Sequence, residues 1–291
     1  ETVNTMQAWE GSLPGNLYAN LRRPPLSSHN LAHLMPATAP ERGRAWNPHL
    51  NAPALLLTTG RGRIPFWLDT YVGDVGMFQV VGPIGMGKST LLASMAAAWR
   101  KRGNVFALDK GGSLRCLTYA VGGNWYNMDA ELRQVFQAGG RLEDVGFTSA
   151  HVAFTPRPGT FQCFEMEGLL KTPQLAASTF ESIYRHLLTT LDGTPTLLLL
   201  DEGYIYLRHG AWFVQDALKD LRKKNAAVGF CAQSIGDYAA SPISHDIREQ
   251  CMTRIWLSNY GAIEDETGKL YEGFSLNERQ RQIIANLLPK R

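Results

Sequence analysis

One octapeptide constrains this chain more than any other feature. Gly82-Pro83-Ile84-Gly85-Met86-Gly87-Lys88-Ser89 satisfies G-x-x-x-x-G-K-[ST] in full. It lies between an apolar strand-like run, MFQVV over Met77–Val81, and the helix-like run STLLASMAAAWRKR. That context is what the motif requires. Glycines let the backbone curl so that successive N–H groups converge, and the following helix adds the positive end of its dipole. Such a turn suits the phosphates of a nucleotide. Gly82, Pro83, Ile84, Gly85, Met86 and Gly87 form the cradle, and Lys88 sets a cation on the β- and γ-phosphates. Ser89 offers a hydroxyl to magnesium, and Thr90 is expected to pack behind it. A mere glycine turn rarely brings all of these with it.

The rest of the chain supplies the sheet that this unit needs. VFALD (Val105–Asp109), FQCFEM from Phe161, TLLLL (Thr196–Leu200), AAVGFCA (Ala226–Ala232) and TRIWL (Thr253–Leu257) are short apolar runs, and VAF at 152–154 reads as strand-like too. Helical patterns fall at about 174–191, 212–224 and 277–287. Continuous apolar strands alternating with helices predict an α/β fold, a mainly parallel sheet covered by helices on both faces. ALLLTT and IPFWLDTYV read as paired strands joined by TTGRGR. Residues 1–53, rich in Pro, Asn, Ser and Arg, read as an irregular arm with one short helix, leaving 54–291 for the main domain. Residues 129–150 carry one short helical pattern.

Composition removes other classes. With 291 residues, 44% of them hydrophobic, the chain can bury roughly three quarters of its unfolded surface, so it is not disordered. A net charge of +3 is too small to argue nucleic-acid binding. No run approaches the ~18 apolar residues of a membrane span. The chain begins at Glu1 without a charged-then-apolar leader and reads as a processed or trimmed piece. Cys116, Cys163, Cys231 and Cys251 lie far apart among apolar neighbours, which predicts buried free thiols and no zinc site. His29 and His33, four apart and followed by Pro36, read as a surface turn or short helix. There is no G-x-S-x-G elbow to anchor nucleophilic hydrolysis.

A nucleoside triphosphate site needs an acid at a second strand end. Asp201 follows TLLLL, at the carboxyl end where parallel sheets place their ligands, and is expected to hold magnesium. Glu202 is next in line to polarise the attacking water. Gln233 ends AAVGFCA, either to bind that water and the γ-phosphate or as a plain strand-end amide. Asp109 also ends a strand, as a further group behind magnesium or as a turn residue. Arg222, in LRKK, either caps its helix or reaches a neighbouring subunit's γ-phosphate.

Taken together, SLPGNLYANLRRP, VGDVG, LDKGGSLRCLTYAVGGNWY, FQCFEMEGLL, TLLLLDEGYIYL, LRKKNAAVGFCAQSIGDY, EQCMTRIWLSN and GFSLNERQRQIIANLLPKR, in this order, resemble the type IV secretion and conjugation ATPases of the TrbE type over about residues 10–291. That resemblance implies a RecA-like motor of the kind found in the FtsK/HerA pumps. It would act as a ring, usually of six copies, at the cytoplasmic face of the bacterial inner membrane. The implied company is other secretion-system ATPases and inner-membrane channel subunits, with DNA or protein as cargo. It further implies ATP with magnesium. In that pattern Gly82–Ser89 bind phosphates, Asp201 and Glu202 are the metal and water carboxylates, Gln233 is the sensor, and Arg222, or else Arg254 in CMTRIWL, acts in trans. The chain departs from the family in lacking its amino-terminal domain, in a shorter stretch between Met128 and Gln162, and in Gly203 after the acidic pair. Two other readings stand beside the motor. A DNA-translocating coupling-type motor would show a basic pore loop and membrane helices, and neither is visible. A nucleotide-binding assembly scaffold has no use for Glu202.

Overall fold

Four consecutive leucines divide between two cores. Leu197 and Leu199 pack with Leu92, Met95, Ala96 and Trp99 on one side of the sheet. Leu198 and Leu200 pack with Phe180, Tyr206, Phe213 and Ala217 on the other. A strand alternates its side chains between faces, so a continuous apolar run means that both faces are covered. Each such leucine contributes about 1.5–3 kcal/mol by its burial.

The computed structural model describes residues 5–16, 27–29, 31, 41–60, 63–128, 160–168 and 173–287. Its strands are β1 Trp46–Asn47, β2 Ala52–Pro53, β3 Leu56–Thr59, β4 Pro65–Leu68, β5 Phe78–Val81, β6 Asn104–Asp109, β7 Asn124–Asn127, β8 Phe161–Glu165, β9 Thr196–Leu200, β10 Ala226–Ala232 and β11 Thr253–Trp256. β1 with β2 and β3 with β4 form small antiparallel pairs. The other seven make one sheet in the order β11-β5-β10-β9-β6-β8-β7. Every pairing within it is parallel.

The helices are α1 Thr5–Ser12, α2 Lys88–Trp99, α3 Arg115–Ala120, α4 Pro173–Thr190, α5 Tyr204–His209, α6 Ala211–Asp220, α7 Ile235–Ala239, α8 Ser244–Gln250, α9 Asp265–Gly273 and α10 Glu278–Asn286. α2 is rich in alanine, the best helix former, and lays Leu92, Met95 and Trp99 on the sheet. α10 starts at a capping box in which Asn277 accepts from the Gln280 N–H and Gln280 accepts from that of Asn277. Among the described residues no helix is long and apolar enough to cross a membrane.

The expected paired strands, the parallel sheet and the long helix at 174–191 are all present at these places. The expected helix over 212–224 divides instead. α6 stops at Asp220, a 3₁₀ turn takes Leu221–Lys224, and Asn225 at φ 56° turns the chain into β10. Cys163, Cys231 and Cys251 are buried as expected, but Cys116 is exposed, because the short α3 turns it outward. The strand-like VAF, the 129–150 stretch and His33 lie outside the described residues.

Candidate functional site

The phosphate-type loop joins β5 to α2. Its first N–H, from Gly82, donates to the Ala232 carbonyl at 3.2 Å, so the loop leaves the sheet beside the end of β10. Gly85 and Gly87 hold φ at 83° and 87°, the left-handed region that glycine alone enters cheaply, and none of the described residues comes within 4 Å of where a Cβ would lie. Gly87 occupies the cap position of α2 and offers no side-chain oxygen to the first helical N–H groups. That uncapped, positive end is open to an anion. Ser89 is exposed there. Thr90 is exposed as well, rather than packed behind Ser89, because the first turn of α2 rises from the surface and not from the core.

Opposite the loop stands the acidic pair. Lys88 Nζ reaches Asp201 Oδ1 at 2.7 Å and Glu202 Oε1 at 3.1 Å. The three residues are 7%, 2% and 8% exposed, so this is a buried ionic cluster. Burial opposes the Lys88 charge, and the two carboxylates more than offset it, raising its pKa above the ordinary lysine value. Glu202 sits at φ 56°, a conformation costing a side-chain-bearing residue of order 1–3 kcal/mol. Strain of this kind persists where surrounding contacts impose it. Here the Glu202 N–H donates to Asp201 Oδ1 at 2.9 Å and the Gly203 N–H to the Cys231 carbonyl. Gln233 completes the group by donating from Nε2 to Glu202 Oε1 at 2.6 Å. Glu202 Oε2 is buried without a hydrogen bond among the described residues.

Behind the acids lies a layer that sequence reasoning mostly missed. Asp109, fully buried, accepts from the N–H groups of Lys110 and Leu114 at 3.0 and 2.8 Å. Burial is the main reason its carboxyl titrates above the usual range. The Ser113 hydroxyl lies 2.7 Å from Asp109 Oδ1 and 3.3 Å from Asp201 Oδ2, bridging β6 to β9. Glu165, paired in register with Asp109, accepts from the N–H groups of Gly111 and Gly112. Lys110 Nζ donates to the Tyr204 hydroxyl at 2.8 Å. The sequence signal was LDKGGS, a polar tail after an apolar strand, but Glu165 becomes its partner only through the parallel register of β6 and β8.

The two arginines stand apart from this cluster. Arg222 is at the amino end of β10, opposite Gln233, and grips Asp74 through Nε and Nη2 at 2.7–3.1 Å. It therefore bonds across to the segment before β5 rather than only capping its own helix. Arg254, on β11, donates to the carbonyls of Cys251, Phe274 and Arg248 at 3.4, 3.0 and 2.6 Å. Among the described residues no three His, Cys, Asp or Glu side chains are grouped to hold a metal. Magnesium does not need such a group, since one carboxylate, a hydroxyl and phosphate oxygens suffice it. Asp201, the exposed Ser89 and the uncapped loop fit a magnesium–triphosphate.

A glycine-rich loop between a parallel strand and a helix, an acid ending another strand and an amide ending the strand between them define a RecA-like P-loop fold. No protein-family model matches the sequence. The chain is 31% identical, over its whole length and 56% of the relative, to a probable conjugal transfer protein TrbE of Sinorhizobium fredii (strain NBRC 101917 / NGR234). It is 31% identical to the conjugal transfer protein TrbE of Rhizobium radiobacter, again over the whole chain and 46% of the relative. The type IV secretion system protein virB4 of Bartonella quintana (strain Toulouse) is 22% identical, with 47% of it covered. The solved structure of VirB4 of Thermoanaerobacter pseudethanolicus shares the fold, with a TM-score of 0.60 at 13% identity over 81% of this chain and 92% of that one. The chain belongs to the TrbE/VirB4 family of conjugal-transfer and type IV secretion proteins. It spans about half the length of the curated relatives it matches. Its alignment with the Sinorhizobium fredii protein covers 374 residues against 291 here, so that relative carries residues without a counterpart in this chain.

Proposed function

We propose that this chain is the ATP-hydrolysing motor of a conjugal-transfer or type IV secretion machine, powering pilus assembly and substrate transfer. The observation that carries the reading is Lys88 held between Asp201 and Glu202, with Gln233 on the same glutamate. Gly82–Thr90 hold the phosphates, Lys88 neutralises them, and Ser89 with Asp201 hold magnesium. The bound ion would supply positive charge against the phosphate oxygens. Glu202 takes the proton of the attacking water, using an acceptor that already carries a hydrogen bond from Gln233. Gln233 links that carboxylate to the end of β10. In a ring of six at the cytoplasmic face of the bacterial inner membrane, a neighbouring copy supplies a further cation, from Arg222 or from Arg254. Other secretion ATPases and inner-membrane channel subunits are its company there. A scaffold would have no need of the strained, buried Glu202.

ATP turnover and nucleotide binding test this in three proteins: the unaltered chain and two variants. Lys88→Ala should lose both, because the cradle loses its point charge. Glu202→Gln should keep binding while turnover falls by roughly 10²-fold, the scale of a lost general base. Normal turnover in Lys88→Ala would refute the site. A loss of binding in Glu202→Gln equal to its loss of turnover would make that residue a ligand. Turnover stimulated by DNA would favour a DNA-translocating motor instead.

A further inference from the structure

Asp201 has two kinds of partner. Its Oδ1 accepts from the Lys88 ammonium and from the Glu202 N–H. Its Oδ2 accepts from the Ser113 hydroxyl. Lys88 is the cation that arriving phosphates would claim. Once it turns to them, the carboxylate keeps one backbone N–H on one oxygen and Ser113 on the other.

The turn that carries Ser113 is built from outside inward. Gly111 and Gly112 stand at φ 81° and 68°, so the chain reverses through two left-handed residues directly after β6. Glu165, from the neighbouring strand, receives both of their N–H groups. Asp109 receives those of Lys110 and Leu114 and lies 2.7 Å from Ser113 Oγ. Two buried carboxylates thus hold five residues of backbone, and the group they leave facing Asp201 is one hydroxyl.

We infer that Ser113 is a positioning residue: its hydroxyl fixes the plane of the Asp201 carboxylate, so that this acid is oriented for a divalent cation when Lys88 leaves it. The inference rests on the reading of Asp201 as the magnesium carboxylate. It gives Ser113 no contact with the nucleotide. The competing account is that Ser113 only closes its turn on Asp109, in which case its loss would alter stability and leave metal affinity unchanged.

Manganese titration followed by electron paramagnetic resonance, with a non-hydrolysable ATP analogue bound, separates the two accounts. Ser113→Ala should weaken Mn²⁺ binding roughly tenfold, the usual scale for a lost partner of a metal-binding side chain. Analogue affinity in EDTA should stay within about twofold, since Lys88 and the loop are untouched. Ser113→Thr, which keeps the hydroxyl, should restore Mn²⁺ affinity. Should Ser113→Ala not fold, Ser113→Cys keeps the volume with a weaker donor and should show the same loss. Unaltered Mn²⁺ affinity in Ser113→Ala or Ser113→Cys, alongside loss in Asp201→Asn, overturns the positioning role and leaves the proposed function standing. An unaltered chain that binds the analogue without taking up Mn²⁺ overturns both.

Discussion

Removing the Lys88 charge should destabilise the nucleotide-free protein as well as disarm it. Lys88→Met keeps the length of the side chain and deletes the ammonium that stands 2.7 and 3.1 Å from Asp201 and Glu202. Both carboxylates are nearly inaccessible to water, so each would be left as an uncompensated buried charge facing the other. Breaking a buried ion pair from one side costs about 3–5 kcal/mol. For a domain of this order that corresponds to about 5–12 °C in the thermal midpoint. The same argument predicts recovery. Adding Asp201→Asn and Glu202→Gln to Lys88→Met removes the orphaned charges, and the triple variant should return to within about 1–2 kcal/mol of the original. Thermal and urea unfolding of the nucleotide-free proteins at neutral pH, followed by circular dichroism, would measure all three. A Lys88→Met protein that unfolds at the original midpoint would show that the ammonium is not held by the acids, and the reasoning would fail.

Three further outcomes follow from the same structure. Arg222→Ala loses an exposed ion pair, its two side chains 50% and 55% accessible, so stability should change by no more than about 1 kcal/mol in denaturant unfolding. If Arg222 acts in trans, assembled Arg222→Ala protein should hydrolyse poorly and regain turnover when mixed with Lys88→Ala subunits; mixed rings with no recovery would shift the role to Arg254. Arg254→Met leaves three carbonyl oxygens without their donor and should cost about 2–4 kcal/mol in the same unfolding assay, while an unchanged midpoint would refute the structural part of its role. Gln79 is fully buried in β5 with both amide atoms unpaired among the described residues, so Gln79→Met should raise stability by about 1–2 kcal/mol, and a fall would mean that the amide has a partner.

The parts of the fold that were legible are those where local chemistry and burial agree. TLLLL reads as a strand because four leucines between a threonine and an acid have no helical face, and β9 occupies those five residues. The loop and the acidic pair were legible because a helix start and a strand end each impose a residue type. β7 was not. Its residues, Asn124–Asn127, lie on the rim of the sheet with exposed ends, so the apolar pattern that marks a buried strand is missing. The layer behind Asp201 was hidden for a different reason. Asp109, Ser113 and Glu165 meet through strand register, and register leaves no local trace in composition or periodicity. Arg222 was read from its own helix end, while its partner Asp74 is 148 positions away in the chain.

The strand order carries one more consequence. β10 separates β5 from β9, so the loop that follows β5 and the acid that ends β9 are two strand spacings apart, about 10 Å. The sheet therefore acts as a ruler. Lys88 closes that gap by leaning across the end of β10, over the strand that carries Gln233. An occupant that draws Lys88 away while still engaging Asp201 must span the same width, which favours an extended anionic chain over a single small anion. The ruler is made of backbone hydrogen bonds and is indifferent to surface side chains. A one-residue insertion within β10 would break it, turning Gln233 to the other face of the sheet and away from Glu202.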